Sequence, residues 1–353
     1  MKYAENNRIS HRQLTRQLVL SLTAPFLLGL LGYRSMLGAN GMLASVAVLI
    51  PLYFYVIFLI RLTPYYANLP KYVGKWCSLL IGVFYLSFTV FTGAYLLTLV
   101  EDVVPISLLS SFSGKAASLL AILVCSFGTH KGMQKRGRMG EVSYPLVLGF
   151  LFLLLIVAAF QGSWEYFQAD PRGLEISAAG FGRAGYGLLA AFTGIGLLPF
   201  ALEHVEKTGS ASKPVFYGVA ITSLFFLASL VVLQANYGWV RLQEEEYPIL
   251  PLLAGANLLG EVLARFDVIW LAVLLYSLLF SVGSVLHYGS HILQTLQLGT
   301  GRYWKQLLMY LLTWEELWKF SVEKIYGLSL VYVYFPGFLI VGMLVRMTNR
   351  WKT

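Results

Sequence analysis

Ten mostly apolar stretches, most of them close to 20 residues long, recur along this chain of 353 residues and limit what it can become. A helix that crosses the hydrocarbon core of a bilayer needs about 20 such residues. The runs cover roughly 17–33, 41–61, 76–100, 115–129, 142–160, 185–205, 214–237, 259–285, 303–321 and 327–347. They predict an all-α polytopic membrane protein with about ten transmembrane helices. The composition agrees, with 58% apolar and 12% charged residues, where soluble domains carry about 25% charged residues. No room is left for a sizeable soluble domain, so 1–353 reads as a single transmembrane domain.

The net charge of +9 sits largely in short loops, where it acts as an orientation signal rather than a nucleic-acid surface. With the N-terminus in the cytoplasm, Arg8, Arg12, Arg16, Lys71, Lys75, Lys131 to Arg138, Lys207, Lys213, Arg346 and Arg350 fall inside. Outer loops take Glu101, Asp102, Glu165, Asp170, Glu175 and Glu244 to Glu246. Both termini are therefore expected in the cytoplasm. The basic start leads into the first span without a small-residue cleavage pattern, so no signal peptide is expected. The ninth run is apolar only from Leu307 to Trp314, ~12 Å of a ~30 Å core. Snorkelling by Lys305 and Lys319, or local thinning, would be needed for it to cross.

The sixth run, Tyr186 to Val205, is poor helix material at its middle. Gly194, Gly196 and Pro199 crowd together, and Pro199 lacks the donor that would bond the carbonyl of Ile195. The first run carries Ala24 and Pro25, then Gly29 and Gly32. A kinked, fully packed helix accounts for either interruption alone. Two interrupted spans, five spans apart, are the pattern of a five-plus-five inverted repeat with its binding site at the breaks. The repeats would run over about 17–160 and 185–347, a LeuT-like fold with helices 1 and 6 broken. The N-terminal end of a half-helix near Pro25–Gly29 or Gly194–Leu198 would offer unbonded amides and partial positive charge to a ligand carboxylate.

Other signals point to structure. Gly180, Gly182 and Gly185 fit G-x-G-x-x-G, but follow a polar loop rather than a strand. His287 and His291 stand at i and i+4 without a nearby third ligand, so they read as interfacial polar residues, with no metal site expected. Glu261 and Arg265, beside Asp267, read as a structural pair near the outer boundary, with a proton relay as the alternative. Lys131 to Arg138 reads as a basic inside loop that sets topology, with a site for a partner or anionic lipid as the second reading. Cys77 and Cys125, both in apolar runs, read as small buried residues rather than a disulfide. No constellation suited to nucleophilic or acid–base catalysis lies in the spans, so neither an enzyme nor a cofactor is expected.

Several short stretches resemble one family. Ile9-Ser10-His11-Arg12-Gln13 precedes the first span, and Gly74-Lys75-Trp76 opens the third. Phe192-Thr193-Gly194 is followed by Glu203-His204, Ala264-Arg265-Phe266-Asp267 precedes the eighth span, and Tyr326-Gly327 begins an apolar run to Val345. In this order the chain is similar to the B subunits of bacterial spore germinant receptors, the spore-permease branch of the amino acid–polyamine–organocation superfamily. The resemblance implies a transporter-like pocket for a small germinant such as an amino acid. It also implies A and C partner subunits and a place in the spore inner membrane. By position, the pocket would involve Ala24, Pro25, Phe88, Thr92, Thr193, Gly194, Gly196, Ser281 and Val285. Hydroxyls of Thr23, Thr92, Thr193 and Ser281 would add direction and Phe88 an apolar wall, unless those hydroxyls bond their own helix carbonyls. The family often has Gly where this chain has Ala24, and an acid where it has Gly196, which implies a changed set of polar contacts and a different ligand. A secondary amino-acid transporter coupled to protons or sodium is the competing function.

Overall fold

The structure, a computed structural model, describes residues 8–30, 36–66, 69–107, 111–129, 132–166, 175–206, 208–242, 244–255, 266–295 and 303–350. Among these the chain is built of helices and short connections, with one isolated bridge between Ile9 and Val205. The first half comprises α1 (His11–Pro25), α2 (Ala39–Ala47), α3 (Leu49–Tyr66), the short α4 (Leu69–Val73), α5 (Lys75–Ser107), α6 (Gly114–Thr129) and α7 (Gly132–Gln161). The second begins with α8 (Ala178–Ala191), α9 (Leu198–Leu202), α10 (Ser212–Leu242), α11 (Ile249–Gly255) and α12 (Phe266–Thr295). It ends with α13 (Trp304–Leu312), α14 (Glu315–Trp318), α15 (Val322–Ser329) and α16 (Phe335–Arg350).

Local chemistry sets where the helices begin. Ser10 accepts from the backbone N–H of Gln13 at 3.3 Å, while the Gln13 side chain accepts from the N–H of Ser10 at 3.1 Å. This reciprocal box satisfies two of the orphan donors at the start of α1. At α8 the hydroxyl of Ser177 accepts from Gly180 N at 3.0 Å, so the glycine-rich stretch 180–185 lies in the opening turns of a regular helix.

Among the described residues, six stretches are long and apolar enough to cross a bilayer: Ala39–Tyr66, Lys75–Ser107, Gly132–Gln161, Ser212–Leu242, Val268–Thr295 and Val322–Thr348. Ala178–Ala191 and Ile195–Leu202, bent by 49°, add a broken span. The outward faces carry large apolar side chains, with Phe160 88%, Trp76 81% and Phe127 74% exposed. A water-facing surface rarely tolerates so many of these, and lipid accommodates them. Within lipid the hydrophobic effect does not drive helices together, so close packing and hydrogen bonds must do so. At the centre lie α1 and α12, packed on each other and both on α7, with α1 also against α10 and α12 against α5 and α6.

Three expectations are corrected here. The ninth run forms only the nine-residue α13, ~14 Å at 1.5 Å per residue; Thr313 and Trp314 then turn the chain before α14. Lys305 does not snorkel: it is fully buried, its ammonium donating to the Ser290 hydroxyl and to Leu286 O at 3.4 Å. Cys77 is exposed rather than buried, whereas Cys125 is buried with its thiol 3.3 Å from Leu279 O. The proposed Glu261–Arg265 pair lies outside the described residues.

Candidate functional site

Pro25 sets the local problem that the site is built to solve. Proline has no N–H, so the carbonyl of Ser21, one turn earlier, loses its helical partner at membrane depth, where an unbonded group costs several kcal/mol. The chain responds by passing into a π-turn over Phe26–Leu30 and by recruiting α12. The Ser281 hydroxyl donates to Ser21 O at 2.5 Å, with Ser277 O of its own helix at 3.0 Å. Ser277 inserts into the neighbouring rung, accepting from Ala24 N at 3.1 Å and donating to Leu20 O at 2.6 Å. Ser284 lies 2.9 Å from the Ser21 hydroxyl. Ser277, Ser281 and Ser284 recur at helical spacing, so one face of α12 carries the repair. Ser281→Ala leaves Ser21 O without this partner and should destabilise the protein by about 1–3 kcal/mol. Thermal unfolding in detergent, with Ser281→Thr as the hydroxyl-keeping control, measures the loss.

The second interruption faces the first. The helix α8 stops at Ala191, Phe192 turns out of helical geometry (ψ 57°), and a short 3₁₀ turn over Ile195–Leu197 leads into α9. Pro199 falls in the first turn of α9, where its missing donor costs nothing. Buried Phe192 meets Phe26 of the π-turn edge-to-face at 4.8 Å, and Phe26 meets Phe226 at 6.0 Å. Such edge contacts are worth about 0.5–1.5 kcal/mol beyond burial, and this pair ties the two interruptions together.

Between α1, the break, α10 and α12 lies a cavity of about 50 Å³, room for a few water molecules. A larger solute fits only as the walls part. Of the residues named from sequence, Thr193, Gly194, Ser281 and Val285 line it. A Cβ built on Gly194 meets no atom within 4 Å, so that position opens onto free space. Ala24 and Pro25 shape the adjoining turn of α1 without lining the cavity. The other three are turned elsewhere. Phe88 packs with Tyr334 and Phe338 at 5.1 and 5.0 Å. Thr92 pairs with the Tyr326 hydroxyl at 3.1 Å, which in turn donates to Thr193 O at 3.4 Å. Gly196 lies under the ring of Phe338. Of the four hydroxyls proposed to give direction, Thr23 bonds its own helix at Val19 O, 2.7 Å away.

Residues not singled out from sequence complete the site. Gln17, Leu198, Ala201 and Tyr288 also line the cavity. Arg136, expected in a basic loop, lies in α7 and donates to Phe280 O and to the Ser284 hydroxyl, its guanidinium 4.0 Å from the Phe280 ring centroid. Beyond α9, Glu203 pairs with His291 at 2.9 Å, and the rings of His204 and His291 are 4.8 Å apart. Backbone bonds from Ile9 N to His204 O at 2.8 Å and from Glu206 N to Ile9 O at 3.2 Å fasten the segment before α1 to this end. Among the described residues no group of three or more His, Cys, Asp or Glu side chains is placed to hold a metal ion.

Solved structures share this architecture. A Na+-coupled sialic acid symporter, substrate-bound and outward-open, matches with a TM-score of 0.60 and 15% identity, over 97% of this chain and 77% of its own. A nucleobase-cation-symport-1 family transporter, closed around bromovinylhydantoin, matches with a TM-score of 0.62 and 10% identity, over 96% and 78%. Identities this low show the fold alone, that of LeuT-like transporters. Comparison with curated proteins gave no match. The spore-permease family model, described as spore germination protein, matches residues 40–298, and the chain belongs to this family of multi-pass membrane proteins.

Proposed function

We propose that this protein is the ligand-binding subunit of a nutrient germinant receptor, and that a small germinant such as an amino acid binds where the two interrupted spans meet. The observation that carries the reading is the cavity between Ser21, Gly194 and Ser281, walled by the break of the sixth span and by the stretch of α1 just before its own π-turn. Ligand entry would part these walls, and A and C subunits in the spore inner membrane would read the changed packing. A ligand shifts such an equilibrium only by its differential affinity for the two arrangements. The proposal contains no catalytic step.

The test pairs binding with physiology. Purified protein should bind one or more members of a panel of L-amino acids, nucleosides and sugars. Spores lacking the chain should lose the response to that same compound and keep responses to others. A deletion that leaves every response intact would count against the receptor reading. Secondary transport is the second reading, favoured by the cation-coupled neighbours. Among the described residues the cavity wall carries no carboxylate or histidine, the groups that proton relays within spans ordinarily use. Uptake of the bound compound into proteoliposomes holding this chain alone would decide for transport.

A further inference from the structure

Three of the elements that line the cavity are tied to one another about one helical turn beyond its edge. Leu14 of α1, Ala201 of α9 and Tyr288 of α12 belong to its wall. Past Ala201, His204 O accepts from Ile9 N at 2.8 Å, and Glu206 N donates to Ile9 O at 3.2 Å. Past Tyr288, His291 Nε2 lies 2.9 Å from the Glu203 carboxylate. Two backbone bonds and one side-chain bond thus join the segment before α1, the chain leaving α9, and α12.

The tie is crowded with imidazoles. The His204 ring stands 4.8 Å from that of His291 and 6.3 Å from that of His287, whose Nε2 is buried without a partner among the described residues. The hydrogen bond from His291 holds the Glu203 carboxyl below its usual range. An ionised carboxylate only accepts, so His291 donates to it whether or not the ring is charged. Burial, and next the facing His291, hold the His204 imidazole below the usual histidine range, against a smaller opposing pull from Glu203.

The remaining groups at this end are mostly cationic or aromatic. Arg8 and His11 flank Ile9, and Glu206 follows Val205. Arg136 of α7 donates to Ser284, and Lys305 of α13 to Ser290, both on the helix that carries His287 and His291. Tyr66 of α3 and Tyr85 of α5 stand edge-on to Phe200 of α9 at 5.2 and 5.0 Å, and Arg61 of α3 is exposed. A second imidazolium here would share Glu203 with the first, and like charges this close repel.

We propose that these contacts form an acid-labile latch on the cavity: neutral His204 keeps it fastened, and a proton on His204 releases it. In the fastened arrangement the ring takes up a proton less readily than in the released one, where it is hydrated and His291 has moved away. Falling pH therefore favours release. The latch is at full strength above about pH 6.5, the ordinary histidine value, and weakens below it. Release frees α9 and the segment before α1 from α12, so the walls at this end can part. The assignment rests on the ligand-binding reading above and gives that cavity a pH-controlled opening. Its test uses no ligand, so either can fail alone.

Hydrogen exchange of the Ile9 and Glu206 amides in purified wild-type protein reads the latch directly. It is measured at about pH 7.5 and 5.5 and corrected for the intrinsic pH dependence of exchange. Protection should fall about fivefold or more on acidification, while the Leu14 amide of α1, bonded to Ser10 O at 3.0 Å, keeps its protection. His204→Gln and His204→Asn keep a polar side chain that takes up no proton, and in each the fall should shrink to under about twofold. Wild-type protection that changes by less than about twofold would overturn the latch, even if neither variant folds. So would an equal fall in the variants, which places the sensitive group elsewhere. A parallel loss at Leu14 would be general unfolding in acid and would overturn it too.

Discussion

Gly194→Leu is expected to abolish ligand binding while the protein still folds. At this residue the backbone has φ −109° and ψ 1°, a region open to ordinary L-residues although sparsely populated. No atom stands within 4 Å of the added Cβ, so the side chain grows into the cavity instead of into a neighbour. The space there is about 50 Å³, and a leucine side chain takes up the room a ligand would need. Filling an apolar void usually changes stability little, within about 1–2 kcal/mol. Binding should fall by ~100-fold or more, and the spore response with it. Gly194→Ala is the graded control: it should keep the fold and lose only part of the affinity. Full germination in spores carrying Gly194→Leu would show that the ligand binds elsewhere.

The sequence revealed that two spans are interrupted, but not how either interruption is built. Gly194, Gly196 and Pro199 marked the sixth span as broken, since such residues are poor in a helix interior. The break falls earlier, at Phe192–Gly194, and Pro199 opens the next helix rather than breaking the last one. The reason is that proline suits the first turn of a helix as well as it spoils the middle, and local sequence does not say which turn a tertiary fold will choose. At Pro25 the backbone takes a π-turn, and the groups that complete it sit on α12, more than 250 residues further along. The serine stripe at 277, 281 and 284 was a readable hint, because its period matches one helix face. Arg136 illustrates the limit of charge patterning. Its neighbours Lys135 and Arg138 are exposed as a basic loop predicts, but Arg136 turns inward onto Phe280 and Ser284. Lys305 departs from the charge pattern for the same reason, since a basic residue beside an apolar run gives no sign of a hydroxyl and a carbonyl waiting inside.

Gly196→Val is expected to prevent stable folding, although it lies only two residues from a position that accepts leucine. A Cβ at Gly196 would stand 2.2 Å from two ring carbons of Phe338. That ring is fully buried and held on three sides, by Phe84 at 5.5 Å, Tyr85 at 5.0 Å and Phe88 at 5.0 Å between centroids. It cannot swing aside as the end of a flexible chain would, so either the break or α16 must move. Overpacking of this kind costs typically 1–3 kcal/mol and more where the neighbour is rigid; here about 3 kcal/mol or above is expected. Size-exclusion profiles and thermal unfolding in detergent should show aggregated or strongly destabilised protein. Phe338→Ala should rescue Gly196→Val in part, because it removes the atoms that the new side chain strikes, and contacting residues are coupled in this way. The same contact bears on the acid that the spore-permease resemblance implies at this position. With Phe338 in place no carboxylate side chain has room at 196, so packing alone accounts for the missing acid. If Gly196→Val folds as well as wild type, the ring does not occupy that space, and the missing acid again needs an explanation from the ligand rather than from packing.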